Sequence, residues 1–157
     1  MIIAGTGHRP NKLGGYGWDI AQRMVRIAGE YLDELKPDTV ISGMALGWDM
    51  ALAAAAMTRG IEWWAYIPFR GQEKMWPPSS QEVYRDLLSR AHSVHIVCPG
   101  EYAAWKMQKR NEEMVDHATH VLALWNGDKS GGTWNCLEYA YGTGKPVINA
   151  WAKWGLQ

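Results

Sequence analysis

Short apolar segments alternate with helical segments along the whole chain, and this alternation restricts the possible folds more than any other feature. The segment 17–35, for example, repeats apolar residues every three or four positions, with charged residues between them, as an amphipathic helix does. Strands that alternate with helices form a parallel sheet that is covered on both faces. We therefore predict an α/β protein: a single Rossmann-like domain, residues 1–157, with a mostly parallel sheet of five to six strands and helices on both faces.

Proline, glycine and helix-capping residues set the predicted boundaries. Pro37 ends the first helix and Gly60 ends the second. Ser79 or Ser80 can cap the start of the third helix, and Glu82 lies at capping-box spacing from Ser79. The predicted strands are 1–5, 39–42, 62–68, 93–97, 121–125 and 146–150. The predicted helices are 17–35, 46–58, 79–91, 101–117 and 132–144.

Composition narrows the classes of function. Sixteen basic and sixteen acidic residues cancel, whereas broad nucleic-acid binding requires a basic face, so nucleic acid is an unlikely partner. Cys98 and Cys136 have no metal-ligand spacing, and we expect no metal and no cofactor. The start of the chain does not read as a signal peptide, and no apolar run is long enough to cross a membrane, so we expect a cytoplasmic protein.

Chemically interesting residues follow the predicted strands. In open α/β sheets, ligands bind beyond the carboxyl ends of the strands, so segments at those ends are expected to meet. Four segments lie there, which is stronger evidence than any one of them. They are 5–9, 42–45, 68–70 and 126–133.

The first of these segments begins like a dinucleotide-binding turn. Gly5 and Gly7 fit that fingerprint, but the third glycine would fall at Pro10, so the pattern fails. What remains is a glycine turn whose backbone can approach an anion, followed by His8 and Arg9, with Arg9 able to add a charged contact. The alternative is a tight turn with a surface arginine.

The second segment opens a helix. Gly43 and Met44 would line the base or sugar side of a ligand, since glycine brings the backbone close to it. Asp49 falls in the first helical turn, where a carboxylate is favourable without any other role. It could equally accept a hydrogen bond from a ribose hydroxyl, and the sequence leaves both readings open.

The stretch 106–141 places a cation and a glycine turn on the two flanks of one strand. Arg110, with its neighbour Asn111, is on the preceding helix, and Gly131, Gly132 and Thr133 open the following one. Backbone N–H groups and the threonine hydroxyl at a helix start can hold a phosphate. A solvated, charged helix face is the alternative for Arg110.

Taken together, several segments resemble the SLOG superfamily, which includes the LOG phosphoribohydrolases, the DprA/Smf proteins and the YpsA-like proteins. The resemblance covers nearly the whole chain and is closest to the YpsA-like branch. The matching segments are Arg110-x-x-x-Met114-x-x-x-Ala118, Val121 to Leu124, Gly131-Gly132-Thr133, Ser42 to Asp49, Thr6-Gly7-His8-Arg9-Pro10-x-x-Leu13-Gly14 and Pro68-Phe69-x-x-Gln72-Glu73-Lys74-x-Trp76.

This resemblance implies a Rossmann-like fold that binds nucleotides, and an arginine at the position of Arg110. It also implies, for the LOG enzymes, a catalytic glutamate three residues after the motif threonine. That position is Cys136 in this chain, and the nearest carboxylate is Glu138. Two residues along a helix turn a side chain by about 200°, so Glu138 does not simply replace the missing glutamate.

Two functions follow as expectations. The first is binding of a nucleotide or an NAD- or ADP-ribose-like ligand, with Arg9 and Arg110 on phosphate and Trp76 as a stacking lid. The second is cleavage of the N-glycosidic bond of a nucleoside 5′-monophosphate, for which Asp49, Glu138 and Asp128 are the candidate carboxylates. A DprA-like role in DNA processing is a weaker third alternative. A homo-oligomer is expected from the resemblance.

Overall fold

A computed structural model describes residues 1–155, which form one six-stranded sheet with helices on both faces. All neighbouring strands are parallel, in the order β4-β3-β2-β1-β5-β6. The strands are β1 Ile2–Gly7, β2 Thr39–Ser42, β3 Glu62–Ile67, β4 Ser93–Ile96, β5 His120–Leu124 and β6 Val147–Asn149. The helices are α1 Trp18–Leu35, α2 Trp48–Thr58, α3 Pro78–Ser89, α4 Ala104–His117, α5 Gly131–Gly142 and α6 Trp151–Trp154. The predicted Rossmann-like α/β fold is confirmed.

Successive strand residues alternate between two hydrophobic cores, as the period of two requires. In β1, Ile3 belongs to the same buried cluster as residues of α1 and α2, whereas Ala4 shares a cluster with Met114 of α4. In β5, Leu122 joins the first core and Val121 packs with α5. The sequence order of the strands reverses between β1 and β5, which is where an open α/β sheet leaves a crevice for a ligand.

Strand β1 is longer than predicted and includes both of its glycines. A Cβ atom on Gly5 would lie 2.4 Å from Leu52 Cδ2, and one on Gly7 would lie 2.6 Å from the side chain of Trp48. These glycines therefore allow α2 to pack closely on β1. The prediction of a glycine turn at residues 5–7 was wrong, because the chain stays extended until Gly7.

Several predicted boundaries also change. Helix α3 begins at Pro78 with Pro77 as its N-cap and has no side-chain capping hydrogen bond, so the predicted cap at Ser79 is wrong. Proline fits the first helical position, Pro78, because the N–H of a residue there has no partner within the helix. A 3₁₀ turn at Pro10–Lys12 and the short helix α6 were not predicted.

Trp76 is not available as a stacking lid. Its ring is buried and packs edge-on against Tyr84, with ring centroids 5.2 Å apart. The loop after β3 is instead folded onto the core through this residue and through Gln72. Within residues 1–155, no helix has the length and apolar composition to cross a membrane, and no group of acidic, histidine and cysteine side chains could hold a metal ion.

Candidate functional site

A cavity of about 440 Å³ lies at the carboxyl ends of the strands, where the loop after β1 meets the starts of α2, α4 and α5. Its volume is within the range of about 300–1,000 Å³ that is usual for small-molecule sites. The residues that line it are Thr6, Gly7, His8, Arg9, Asn11, Lys12, Ala45, Asp49, Tyr102, Ala104, Met107, Gln108, Arg110, Asn111, Ser130, Gly132, Thr133 and Asn135.

The fold brings most of the predicted site residues together in this cavity. Those that line it are Gly7, His8, Arg9, Asp49, Arg110, Asn111, Gly132 and Thr133. The predicted residues outside the lining are Gly43, Met44, Gly131 and Glu138. Glu138 is exposed on α5 and does not line the cavity. Its catalytic role stays a prediction.

Arg110 is the most deeply buried cation of the site, with only 3% of its surface exposed. Its Nη1 donates to the carbonyl oxygen of Gly43 at 2.6 Å and faces that of Tyr66 at 3.4 Å, and its Nε donates to Asn111 Oδ1 at 3.1 Å. Among the described residues, no acceptor is found for Nη2. Arg110 therefore fixes the floor of the cavity and has one nitrogen without a partner among the described residues.

Gly43 and Met44 support this floor from below. A Cβ atom on Gly43 would lie 2.6 Å from Arg110 Nη1, so a larger residue would displace the guanidinium group. The Gly43 carbonyl also accepts a hydrogen bond from Gln72 Nε2. Met44 is fully buried with a left-handed φ of 57°. Gly43 and Met44 are buried outside the cavity lining, and their predicted place on the base or sugar side of a ligand stays a prediction.

Asp49 is the only carboxylate among the described residues that line the cavity. It is 6% exposed, and its Oδ2 faces the backbone N–H of Ala45 at 3.4 Å. No donor to its Oδ1 is found in the described part of the chain. Burial raises the pKa of Asp49 to about 6, against the opposing attraction of Arg110. A carboxyl group of this kind changes its charge close to neutral pH, as functional carboxylates often do.

Cys136 lies beneath the same floor. It is 2% exposed, and burial raises the pKa of its thiol to about 12, which outweighs the hydrogen bond with Thr6. The thiol is therefore neutral and unreactive at physiological pH. At the position where the LOG resemblance implies a glutamate, this chain has a small, uncharged core residue.

Both positive and negative side chains lie near the start of α5. The N-cap Ser130 makes no side-chain hydrogen bond to the helix, and its hydroxyl donates to Asp128 Oδ2 instead. The first N–H groups of α5 are therefore left without a side-chain cap, where the helix dipole favours an anion. The amine of Lys12 lies 3.9 Å from the position that a Cβ on Gly131 would take, and Arg9 lines the same cavity.

His8 adds no charge to this anion site. Burial lowers the pKa of His8, and its Nε2 accepts a hydrogen bond from the backbone N–H of Asn126 at 3.0 Å. Its backbone N–H donates to the Leu124 carbonyl. A neutral His8 therefore fixes the loop after β5 to the end of β1, which places the start of α5 beside the cavity.

Sequence reasoning missed a second set of lining residues, on the side of α4. Tyr102 is 70% exposed at the cavity and meets Phe69 edge-on, with ring centroids 5.8 Å apart. Asn111 Nδ2 donates to Gln108 Oε1 at 3.4 Å, and Gln108 Nε2 donates to the Asn135 carbonyl at 3.3 Å. Together with the Arg110–Asn111 contact, these bonds form one chain of polar groups along the wall.

One signal for a missed residue was present in the sequence. Lys12 follows His8 and Arg9 within the loop after β1, so its position at a strand end could have been weighed with theirs. Tyr102 had no comparable signal, because the crossover that brings it to the cavity depends on the strand order.

Comparison with known proteins agrees with this architecture. The model of the YspA SLOG family matches residues 3–142. The Uncharacterized SPbeta prophage-derived protein YoqJ of Bacillus subtilis (strain 168) is 39% identical over 84 residues, which are 46% of this chain and 48% of YoqJ. A UPF0398 protein of Bacillus cereus (strain B4264) is 24% identical over 151 residues, covering 88% of this chain and 82% of that protein.

A solved structure has the same fold. The crystal structure of DNA processing protein A (DprA) from Streptococcus pneumoniae superposes with a TM-score of 0.63 at 21% identity, covering 92% of this chain and 48% of that one. At this identity the likeness extends to the fold alone. The chain spans about half the length of YoqJ and of this DprA. Since the family model covers most of the sequence, the chain belongs to the YspA SLOG family.

Proposed function

We propose that the cavity binds a nucleotide or another small phosphate-bearing ligand of the ADP-ribose type. The observation that carries the proposal is the convergence of three anion-binding features on one cavity. These are the start of α5 without a side-chain cap, the amine of Lys12 and the buried guanidinium of Arg110. Nη2 of Arg110 has no acceptor among the described residues and is not one of their fully buried unpaired atoms, so it is accessible from the cavity.

In this proposal the phosphate lies at the start of α5. The N–H groups of Gly132 and Thr133 and the hydroxyl of Thr133 are at the cavity wall, and Lys12 and Arg9 stand opposite them on the loop after β1. Helix dipole, backbone donors and two cations would act on the same group. This arrangement favours a phosphate over a neutral ligand.

The base or the second sugar would lie towards α4. Tyr102 offers an exposed ring, and Met107 and Ala104 offer apolar surface beside it. The amides of Gln108, Asn111 and Asn135 can both donate and accept hydrogen bonds. An aromatic face next to amide groups suits a planar heterocycle better than an aliphatic tail.

Titration calorimetry of the whole chain tests the proposal, with AMP, ADP-ribose and inorganic phosphate as probes. We expect AMP or ADP-ribose to bind more tightly than inorganic phosphate, and we expect Lys12→Ala to weaken that binding by about tenfold, as for one charge-assisted contact. Lys109→Ala is the matched control, because Lys109 is exposed on α4 and lies outside the cavity lining. Failure of every probe to bind at millimolar concentration would refute the proposal.

A second function, hydrolysis of an N-glycosidic bond, is favoured by one observation: Asp49 is a buried carboxyl group with a pKa of about 6 at the cavity floor. Such a group could stabilise an oxocarbenium-like transition state or activate water. Chromatographic detection of free adenine from AMP is the assay, with Asp49→Asn and Glu138→Gln as variants. Release that stops with the first variant and continues with the second would assign the reaction to Asp49.

A DNA-processing role is supported less well. Single-stranded DNA binding uses an extended basic surface, and a formal net charge of zero gives no support for one. The fold shared with DprA adds no argument of its own, because one fold serves many functions.

A further inference from the structure

Two buried, oppositely charged side chains on the cavity floor each keep one polar atom unused. Asp49 Oδ1 and Arg110 Nη2 have no partner among residues 1–155, although both side chains are more than nine-tenths buried and line the cavity. Each charge affects the other's pKa, yet they form no ion pair within 4.0 Å in the described structure. The floor therefore presents a separated acceptor and donor to whatever occupies the cavity.

The acceptor cannot serve the phosphate. An ionised carboxylate has no proton to donate, and it repels a phosphate oxygen. It requires a ligand group that donates a hydrogen bond without carrying negative charge. A hydroxyl group meets this requirement, and it can also accept a bond from the guanidinium nitrogen next to it.

The position of the pair fits a sugar. Arg9 and the start of α5 hold the proposed phosphate on one side, and Tyr102 stands on the α4 side. Asp49 and Arg110 line the same cavity, and beside the larger effect of burial the charge of Arg9 lowers the pKa of both. In this inference the sugar of the nucleotide lies against Asp49 and Arg110. Two neighbouring hydroxyl groups could occupy the pair at once, one donating to Asp49 and the other accepting from Arg110.

We propose that Asp49 and Arg110 bind the vicinal hydroxyl groups of a ribose, so that the site selects ribosyl phosphates and rejects deoxyribosyl phosphates. This inference rests on the proposed function, since it assigns the sugar of the same ligand. It makes Asp49 a specificity-determining residue, and it places DNA-derived nucleotides among the rejected ligands.

The test compares four probes by calorimetry on the full chain: AMP, 2′-deoxy-AMP, 3′-deoxy-AMP and inorganic phosphate. We expect 2′-deoxy-AMP and 3′-deoxy-AMP each to bind about tenfold or more weakly than AMP, because each leaves a buried charged acceptor or donor unpaired. In Asp49→Asn and Asp49→Ala we expect this preference to shrink towards unity. Affinity for inorganic phosphate should be kept or increased, because a negative charge has been removed.

Asp86→Asn is the control for the change from carboxylate to amide, since Asp86 lies on α3 and its carboxylate contacts Arg90. Thermal unfolding of each variant shows that it is folded. Equal affinity for AMP and 2′-deoxy-AMP would overturn the ribose inference and leave the phosphate proposal standing. Preference for AMP that persists in Asp49→Ala would also overturn it. If none of the probes binds, the proposed function itself has failed.

Discussion

Glycines at the end of β1 and at the start of α5 look alike in the sequence, yet they have opposite uses. At Gly5 and Gly7 the space of the missing side chain is filled by Leu52 and Trp48 of α2. At Gly131 a Cβ would meet only the Lys12 amine at 3.9 Å, and at Gly132 it would meet nothing within 4 Å. One pair allows helix and strand to pack closely, and the other leaves backbone donors open to the cavity.

The difference shows how this site divides its tasks. The close packing of α2 on β1 brings Asp49, in the first turn of α2, beneath the cavity. The open glycines leave room for an anion at the α5 end. A glycine-rich segment is therefore insufficient to identify a phosphate site, and what fills the space beside each glycine decides its role.

The largest effect is expected for Gly7→Ala. Its Cβ would lie 2.6 Å from three atoms of the fully buried Trp48, so strand or helix must move. We expect a loss of about 3 kcal/mol in the free energy of unfolding, at the upper end for overpacked cores. Chemical denaturation measures it. A loss below about 0.5 kcal/mol would mean that α2 does not depend on this contact.

The next effect concerns Asp49 and depends on pH. The pKa of Asp49 is about 6 in the folded protein and 3.8 in the unfolded chain. As pH rises, the folded protein therefore keeps the proton to a higher pH than the unfolded chain does. Stability therefore falls as pH rises from about 4 to 6, and the full cost, roughly 3 kcal/mol, remains above pH 6.

Asp49→Asn removes this cost, because its amide resembles the protonated acid. We expect the variant to be more stable than the parent protein at pH 8 by about 2–3 kcal/mol, and nearly equal to it at pH 4. Denaturation curves at the two pH values measure the difference. If the variant and the parent protein differed in free energy of unfolding by the same amount at pH 4 and at pH 8, the burial of an ionised carboxylate would be contradicted.

The smallest effects are expected at the open glycines. Gly131 has φ of 86°, so Gly131→Ala should cost about 1 kcal/mol through backbone strain alone. Gly132 has no left-handed φ and no neighbour, so Gly132→Ala should change stability by less than about 0.5 kcal/mol. Any reduction in AMP affinity in Gly132→Ala at unchanged stability would then report on the site itself. A large loss of stability in Gly132→Ala would contradict the conclusion that Gly132, unlike Gly7, has open space beside it.

Periodicity and strand ends were sufficient to predict the fold and the edge of the sheet that carries the cavity. From the sequence, Gly132 and Thr133 were placed at this edge, and Asp49 and Arg110 on the adjoining helices. The structure brings all four together. Their binding of a ligand remains a proposal.

The errors have a common physical cause. The roles of Gly7 and Trp76 depend on which side chain packs against each of them, and those partners are distant in the sequence. Local patterns record helix and strand, but they do not record which residue fills a given space. Tyr102 was missed for the same reason, since its position depends on where α4 crosses the sheet.

The contact from Arg110 to the Gly43 carbonyl joins residues 67 positions apart. It ties the half of the chain that builds β1 to β4 to the half that adds β5 and β6. A ligand held between Lys12 and α5 would span the same junction, so its occupancy and the folding of the sheet are linked equilibria. At a hundredfold excess over its dissociation constant, such a ligand would add about 2.7 kcal/mol to the free energy of unfolding. Slowed amide exchange in β5 would then report occupancy.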